Sequence, residues 1–330
     1  MKFAVLAAAL LAGCSGATAQ TVTAEPASSK EKPAVQVAAA VVEAVAAPIP
    51  TASFDGASWA GFGVAHCSYL APASDFIGED GGVDVVWHFH AGQMATSDMK
   101  ASGMRAVFVS CGYGIGTGGY SSNFEDPNRF GAMMRSLTRT ISFKAKRDVH
   151  LQHLALASWS AGFAAVNRVL ASSEWYEKTD AVLLFDSLHA QYIDLPEDAK
   201  LKTKPLAARG ADHVDANMLR RFIRFATDAA AGKKRMVITH SSIVPPDYAS
   251  TAEATAALLR EVDVAPASTT AASFGLPSMV PSVVADAGNL HVRGFRGIGP
   301  HDHFDHLHLI GEALRSWIVP GWYSAVSERR

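Results

Sequence analysis

The stretch "HLALASWSAGFAAVNRVL", residues 153–170, decides the fold. Residues 153–158 form a short apolar run of the kind that makes a buried strand, and 161–173 have the composition and spacing of a helix. Only Trp159 and Ser160 lie between them. A strand that turns straight into a helix leaves no room for large side chains on either flank of the turn. Ser158 and Gly162, two positions either side of Ser160, keep that volume low. The start of the helix also offers free N–H groups and partial positive charge beside the Ser160 hydroxyl. A serine here also suits a plain helix cap.

The rest of the chain repeats this alternation. Strands are expected at 84–90, 105–111, 180–187, 235–241 and 289–295, and helices at about 128–142, 215–231, 251–262 and 304–318. A glycine-rich loop is expected at 112–123. Short continuous apolar strands separated by amphipathic helices imply an α/β fold, a mostly parallel sheet with helices on both faces. No linker-like break follows residue 54, so 54–330 reads as a single domain, with 190–234 a candidate small lid.

The strand–turn–helix around Ser158-Trp159-Ser160-Ala161-Gly162 resembles the G-x-S-x-G nucleophile elbow of the α/β-hydrolase superfamily, with Ser158 in place of the first glycine. The resemblance covers about residues 54–330. It implies Ser160 as nucleophile and an oxyanion hole from the Ala161 N–H plus one from "HAGQ", at Ala91 or Gly92. His88 and His90 in that region otherwise read as sheet-edge residues that orient loops by hydrogen bonds. The superfamily order is serine, acid, histidine. Asp186, closing an apolar strand, is favoured as the acid, with Asp247 the rival. A carboxylate at the end of such a strand is costly without a partner.

The histidine is expected between the last strand and the closing helix, in "HDHFDHLH", residues 301–308. His303 is favoured and His301 is the rival, while His306 and His308 read as helix-face residues. The same stretch spells H-x-H-x-D-H and resembles the metal-binding signature of the metallo-β-lactamase family, through His301, His303, Asp305 and His306. That family places the motif early and further ligands far downstream. Here only 24 residues follow His306, with no aspartate among them (330 − 306). The expectation is therefore no metal and no cofactor. It is a serine hydrolase with a Ser160–Asp186–His303 triad acting on a small-molecule ester or acyl substrate. The alternatives are a metallohydrolase on 301–306 and a non-catalytic, membrane-tethered binding protein on a hydrolase scaffold.

The first residues, "MKFAVLAAALLAGC", pair Lys2 with an apolar run too short to span a bilayer. Leu11-Ala12-Gly13-Cys14 resembles a bacterial lipobox. It implies a signal peptide over 1–13, a lipidated Cys14, and anchoring in the cell envelope, with Ser15 pointing to the outer membrane facing the periplasm. An ordinary secretory signal cut near Ala17–Ala19 is the alternative. Residues 14–53, rich in Ala, Val, Pro, Ser and Thr, read as a flexible tether. Cys67 and Cys111 then remain as a possible disulfide pair or two buried small hydrophobes. The chain is 330 residues long, 49% hydrophobic, and has a formal net charge of −2, with no basic run, so nucleic acid is not an expected partner.

Overall fold

The computed structural model describes residues 52–194, 207–271 and 273–323. Nine strands form one sheet: β1 Cys67–Leu70, β2 Gly82–Phe89, β3 Val107–Cys111, β4 His150–Trp159, β5 Ala181–Phe185, β6 Arg235–His240, β7 Ala267–Ser268, β8 Val280–Ala287 and β9 Leu290–Arg296. Their order is β1-β3-β2-β4-β5-β6-β9-β8-β7. The six strands from β3 to β9 run parallel. β1 at one edge, and β8 and β7 at the other, are antiparallel. This is the mostly parallel α/β sheet that the sequence predicts.

Period-two alternation sends each strand's side chains to two separate cores. Val85, Trp87 and Phe89 of β2 join Leu154 and Leu156 of β4 under the helices Arg129–Ala145, Phe163–Val169, Ala216–Ala230 and Thr251–Glu261. Val86, Ala155, Ala157, Leu183 and Phe185 face the other way, onto Met99 and the chain from Leu307 to Trp322. Both faces of the central strands are therefore apolar, which is why these strands read as unbroken hydrophobic runs.

Several expected boundaries move. The glycine-rich loop contains a helix, Thr117–Asn123, packed on Phe163–Val169. The helix expected over 161–173 ends at Val169, and a second one runs from Ser173 to Lys178. The closing helical segment begins at Pro300, so His303 lies in its first turn rather than in a preceding loop. Within 190–234, the helix Ala216–Ala230 buries Leu219, Phe222 and Phe225 against the core and belongs to the scaffold. Residues 195–206 of the expected lid lie outside the described residues, as do the signal segment, Cys14 and nearly all of the tether. Cys67 and Cys111 face each other across β1 and β3 and form a disulfide, with Cα atoms 4.2 Å apart. Among the described residues, no helix is long and apolar enough to cross a membrane.

Candidate active site

The carboxyl ends of the parallel strands gather the chemistry. β4 ends at Trp159 and delivers Ser160, and its neighbour β5 ends at Phe185 and delivers Asp186. β2, on the other side of β4, ends at Phe89 and leads into His90-Ala91-Gly92. β9, further along, leads to His303 through the loop 297–299. Ligand crevices of open α/β sheets form at this end.

Ser160 adopts φ 51°, in the left-handed region that a serine seldom occupies. Close packing holds it there. A Cβ on Gly162 would stand 2.3 Å from the Phe89 carbonyl oxygen and 3.0 Å from the Ser158 Cβ, so only glycine fits. Ser158, in the position of the missing first glycine, uses its hydroxyl. It hydrogen-bonds Ser187 Oγ at 2.8 Å, and Ser187 donates to the Ser160 carbonyl at 2.7 Å. The strained turn is thus tied to the segment that follows β5 by a two-hydroxyl relay.

Asp186 is almost fully buried and also has positive φ, 44°. Its Oδ2 lies 2.6 Å from His303 Nδ1. Its Oδ1 accepts the Ser241 N–H at 2.9 Å and the Thr251 hydroxyl. Burial by itself pushes this carboxyl up. The His303 hydrogen bond, the electrostatic pull of the neighbouring His306 and His303 and the Thr251 hydroxyl outweigh it and hold the group well below the usual carboxylate range. With Nδ1 engaged by the carboxylate, Nε2 is the nitrogen His303 has left for proton transfer.

Two cavities meet at Ser160. One, of about 300 Å³, is lined by Ser160, Asp186 and His303 together with Ile243, Pro246 and Ile298. The other, of about 330 Å³, is lined by Ser160 and Ala161 with Ile115, Phe163, Met218 and Tyr248. His189 borders both. Among the described residues no lysine or arginine lines either cavity.

Of the residues expected for the oxyanion hole, Ala161 directly follows Ser160 at the helical start, and Ala91 and Gly92 follow β2, whose last residue Phe89 pairs with Ser158 of β4. Ala91 has φ 57° at the head of the short turn Gly92–Ala95. Gly92 is sterically required, because a Cβ there would come within 2.9 Å of both His88 Nδ1 and Ser110 Oγ. The expectation that His88 orients a loop by hydrogen bonds is corrected. Both of its ring nitrogens are buried without a partner among the described residues. It is His90 that makes such a bond, to the Tyr120 hydroxyl at 2.7 Å.

The histidine cluster disperses. His301 is 90% exposed at its side chain, 4.0 Å from Asp305. His306 is buried and meets the Thr239 hydroxyl through Nδ1 at 2.7 Å, and His308 pairs with Asp98 at 2.7 Å. Among the described residues no three His, Cys, Asp or Glu side chains converge as metal ligands would. The carboxylate that reaches His303 Nδ1 is that of Asp186. Pro246 and Tyr248, either side of Asp247, line the cavity wall.

Burial depresses several imidazoles, three of them strongly. His88 is lowered to about 3, by burial and then the neighbouring His90. His189 is lowered to about 4, by burial, with Asp186 opposing. His306 is lowered to about 4, by burial, again with Asp186 opposing. Each stays neutral in the fold while the unfolded chain takes up its proton near pH 6.5. Their contribution is therefore complete above pH 6.5 and falls as the pH drops toward 4, by about 1.4 kcal/mol per pH unit for each imidazole. Asp186, depressed, adds a loss of the same sign below about pH 4. Urea midpoints are expected to fall steeply from pH 7.5 to 5, with His88→Leu flattening the slope. A level profile would contradict this.

No family model matches the chain, and no curated protein matches it. Solved structures do. Esterase B from Lactobacillus rhamnosis is 14% identical, with a TM-score of 0.41, over 84% of this chain and 90% of that one. The enterobactin esterase FES from Shigella flexneri is 13% identical, with a TM-score of 0.45, over 83% and 62%. A loop variant of the haloalkane dehalogenase DbeA from Bradyrhizobium elkanii is 10% identical, with a TM-score of 0.41, over 79% and 95%. These are likenesses of architecture, and one architecture hosts many chemistries. The reaction has to be argued from this chain's own side chains.

Proposed function

We propose that the protein is a serine hydrolase that transfers acyl groups from carboxylic esters to water. One observation carries the reading. A strained, cavity-facing Ser160 shares its cavity with an imidazole whose Nδ1 is 2.6 Å from a buried carboxylate. Ser160 Oγ attacks the ester carbonyl as His303 Nε2 takes its proton. Asp186 holds the tautomer that keeps Nε2 free and stabilises the imidazolium that forms. N–H groups of Ala161 and of the Ala91–Gly92 turn receive the oxyanion. His303 then returns its proton to the departing alcohol, leaving an acyl-Ser160 that a water molecule, activated by the same imidazole, hydrolyses.

The cavities suit a neutral substrate with apolar groups on both sides of the carbonyl. Among the described residues their walls offer Ile, Pro, Phe and Met and no lysine or arginine, and Ile115 and Ile298 at their rims are 91% and 82% exposed. The lipobox-like stretch ending at Cys14 supports a protein held at a bacterial membrane surface.

Hydrolysis of p-nitrophenyl butyrate, followed with and without EDTA, tests the reading. Turnover is expected and is expected to be indifferent to the chelator. No turnover, or turnover abolished by chelation, would overturn the serine mechanism.

A further inference from the structure

Trp159, the residue before Ser160, makes three contacts that bear on the base. Its ring stacks on the His303 imidazole, with centroids 4.6 Å apart and planes 29° apart. Its Nε1–H donates to the His303 carbonyl at 2.8 Å. It also stacks on His90, at 5.1 Å with planes 9° apart. His90 is fixed in turn by the buried Tyr120, whose hydroxyl also receives the Tyr113 N–H and donates to the Gly114 carbonyl, both at 3.2 Å.

We infer that Trp159 is a positioning residue for His303, and that it couples the base to the turn that carries Ala91 and Gly92. The inference rests on the proposed serine mechanism. Asp186 fixes only one ring nitrogen of His303 and leaves the imidazole free to swing about that bond. The indole removes this freedom by covering the ring face, and its N–H pins the backbone that carries the ring. Ser160, one residue away on the same chain, is thereby held at a fixed offset from its base. When His303 accepts the serine proton, the imidazolium lies against an indole face, whose quadrupole attracts it. His90, immediately before Ala91, brings the oxyanion turn into the same column of rings. A displacement of about 1 Å of a catalytic group costs on the order of 100-fold in rate, which sets the scale of the effect.

Two variants separate the contacts. Trp159→Phe keeps a ring but loses the N–H, and Trp159→Leu loses both. The expected results are falls in kcat of about 10-fold and about 100-fold, with KM little changed. The fall in kcat at constant KM separates positioning from a merely structural role, and an optical signature reports the contact itself. Protonated imidazole quenches a stacked indole, so Trp159 emission should be dim when His303 is protonated and bright when it is neutral. The chain has 6 tryptophans, so the readout is the emission of wild type minus Trp159→Phe, titrated from pH 5 to 9. His90 and His303 face the indole directly, and Asp186, His189 and His306 lie behind His303.

One step is expected, dim on the acid side. It should be lost in His303→Gln, kept in His90→Gln, and kept in Ser160→Ala. A flat difference signal would overturn the contact, and an undiminished kcat in Trp159→Leu would overturn the positioning role. The emission step requires no turnover. If the serine mechanism were wrong, Ser160→Ala would retain activity while the step persisted, so the two failures look different.

Discussion

Ser160→Ala is expected to lower kcat for ester hydrolysis by about 10⁵–10⁶-fold, leaving only what the oxyanion groups and substrate binding contribute without a nucleophile. The fold should survive. The bond that ties this turn to Ser187 uses the Ser160 carbonyl, which alanine keeps, and alanine faces the same positive φ that serine already accepts. Substrate affinity should change little, because the cavity walls are supplied by other residues. Steady-state kinetics on purified protein check this, with a urea midpoint near wild type as the control for folding. Activity within tenfold of wild type would mean that the nucleophile lies elsewhere.

Asp186→Asn should lower kcat by about 10⁴-fold through the tautomer of His303. Asp186 Oδ1 already receives two donors, the Ser241 N–H and the Thr251 hydroxyl. An asparagine must therefore keep its carbonyl on those two and turn its NH₂ toward His303. Nδ1 then becomes the acceptor and Nε2 carries the proton, so it can no longer accept one from Ser160. Asp247→Asn is expected to stay within about threefold of wild type, since the Nδ1 partner remains in place. Loss of activity in Asp247→Asn with a functional Asp186→Asn would reverse the assignment of the acid.

What the sequence reveals and what it hides follow from how local each feature is. The elbow is legible because its constraint is steric and short-range. Gly162 must avoid the Phe89 carbonyl, and a small residue must stand at 158. The parallel core strands are legible because burial on both faces leaves an unbroken apolar run. Other features depend on distant partners. The helix Thr117–Asn123, "TGGYSSN", has poor intrinsic propensity and is kept by burying Tyr120. β1 is four residues long, and β8 contains Pro281 and is largely half-exposed, so neither has a core strand's pattern. The two residues Gly288-Asn289 between β8 and β9 were the available hairpin cue. Trp159's bond to His303 spans 144 residues, and the Ser187 relay and the Thr251 hydroxyl on Asp186 are likewise invisible to local pattern. The H-x-H-x-D-H string misleads for the opposite reason. It is local, but a helical start at Pro300 turns its side chains toward different partners.

The proposed mechanism makes Ser160 an activated nucleophile. The most direct measurement is reaction of the folded protein with a fluorophosphonate, followed by mass spectrometry of the peptide that contains Ser160. One phosphonyl group per chain is expected, on Ser160, with labelling lost in both Ser160→Ala and urea-unfolded protein. An unlabelled folded chain, or an adduct on another residue, would contradict this.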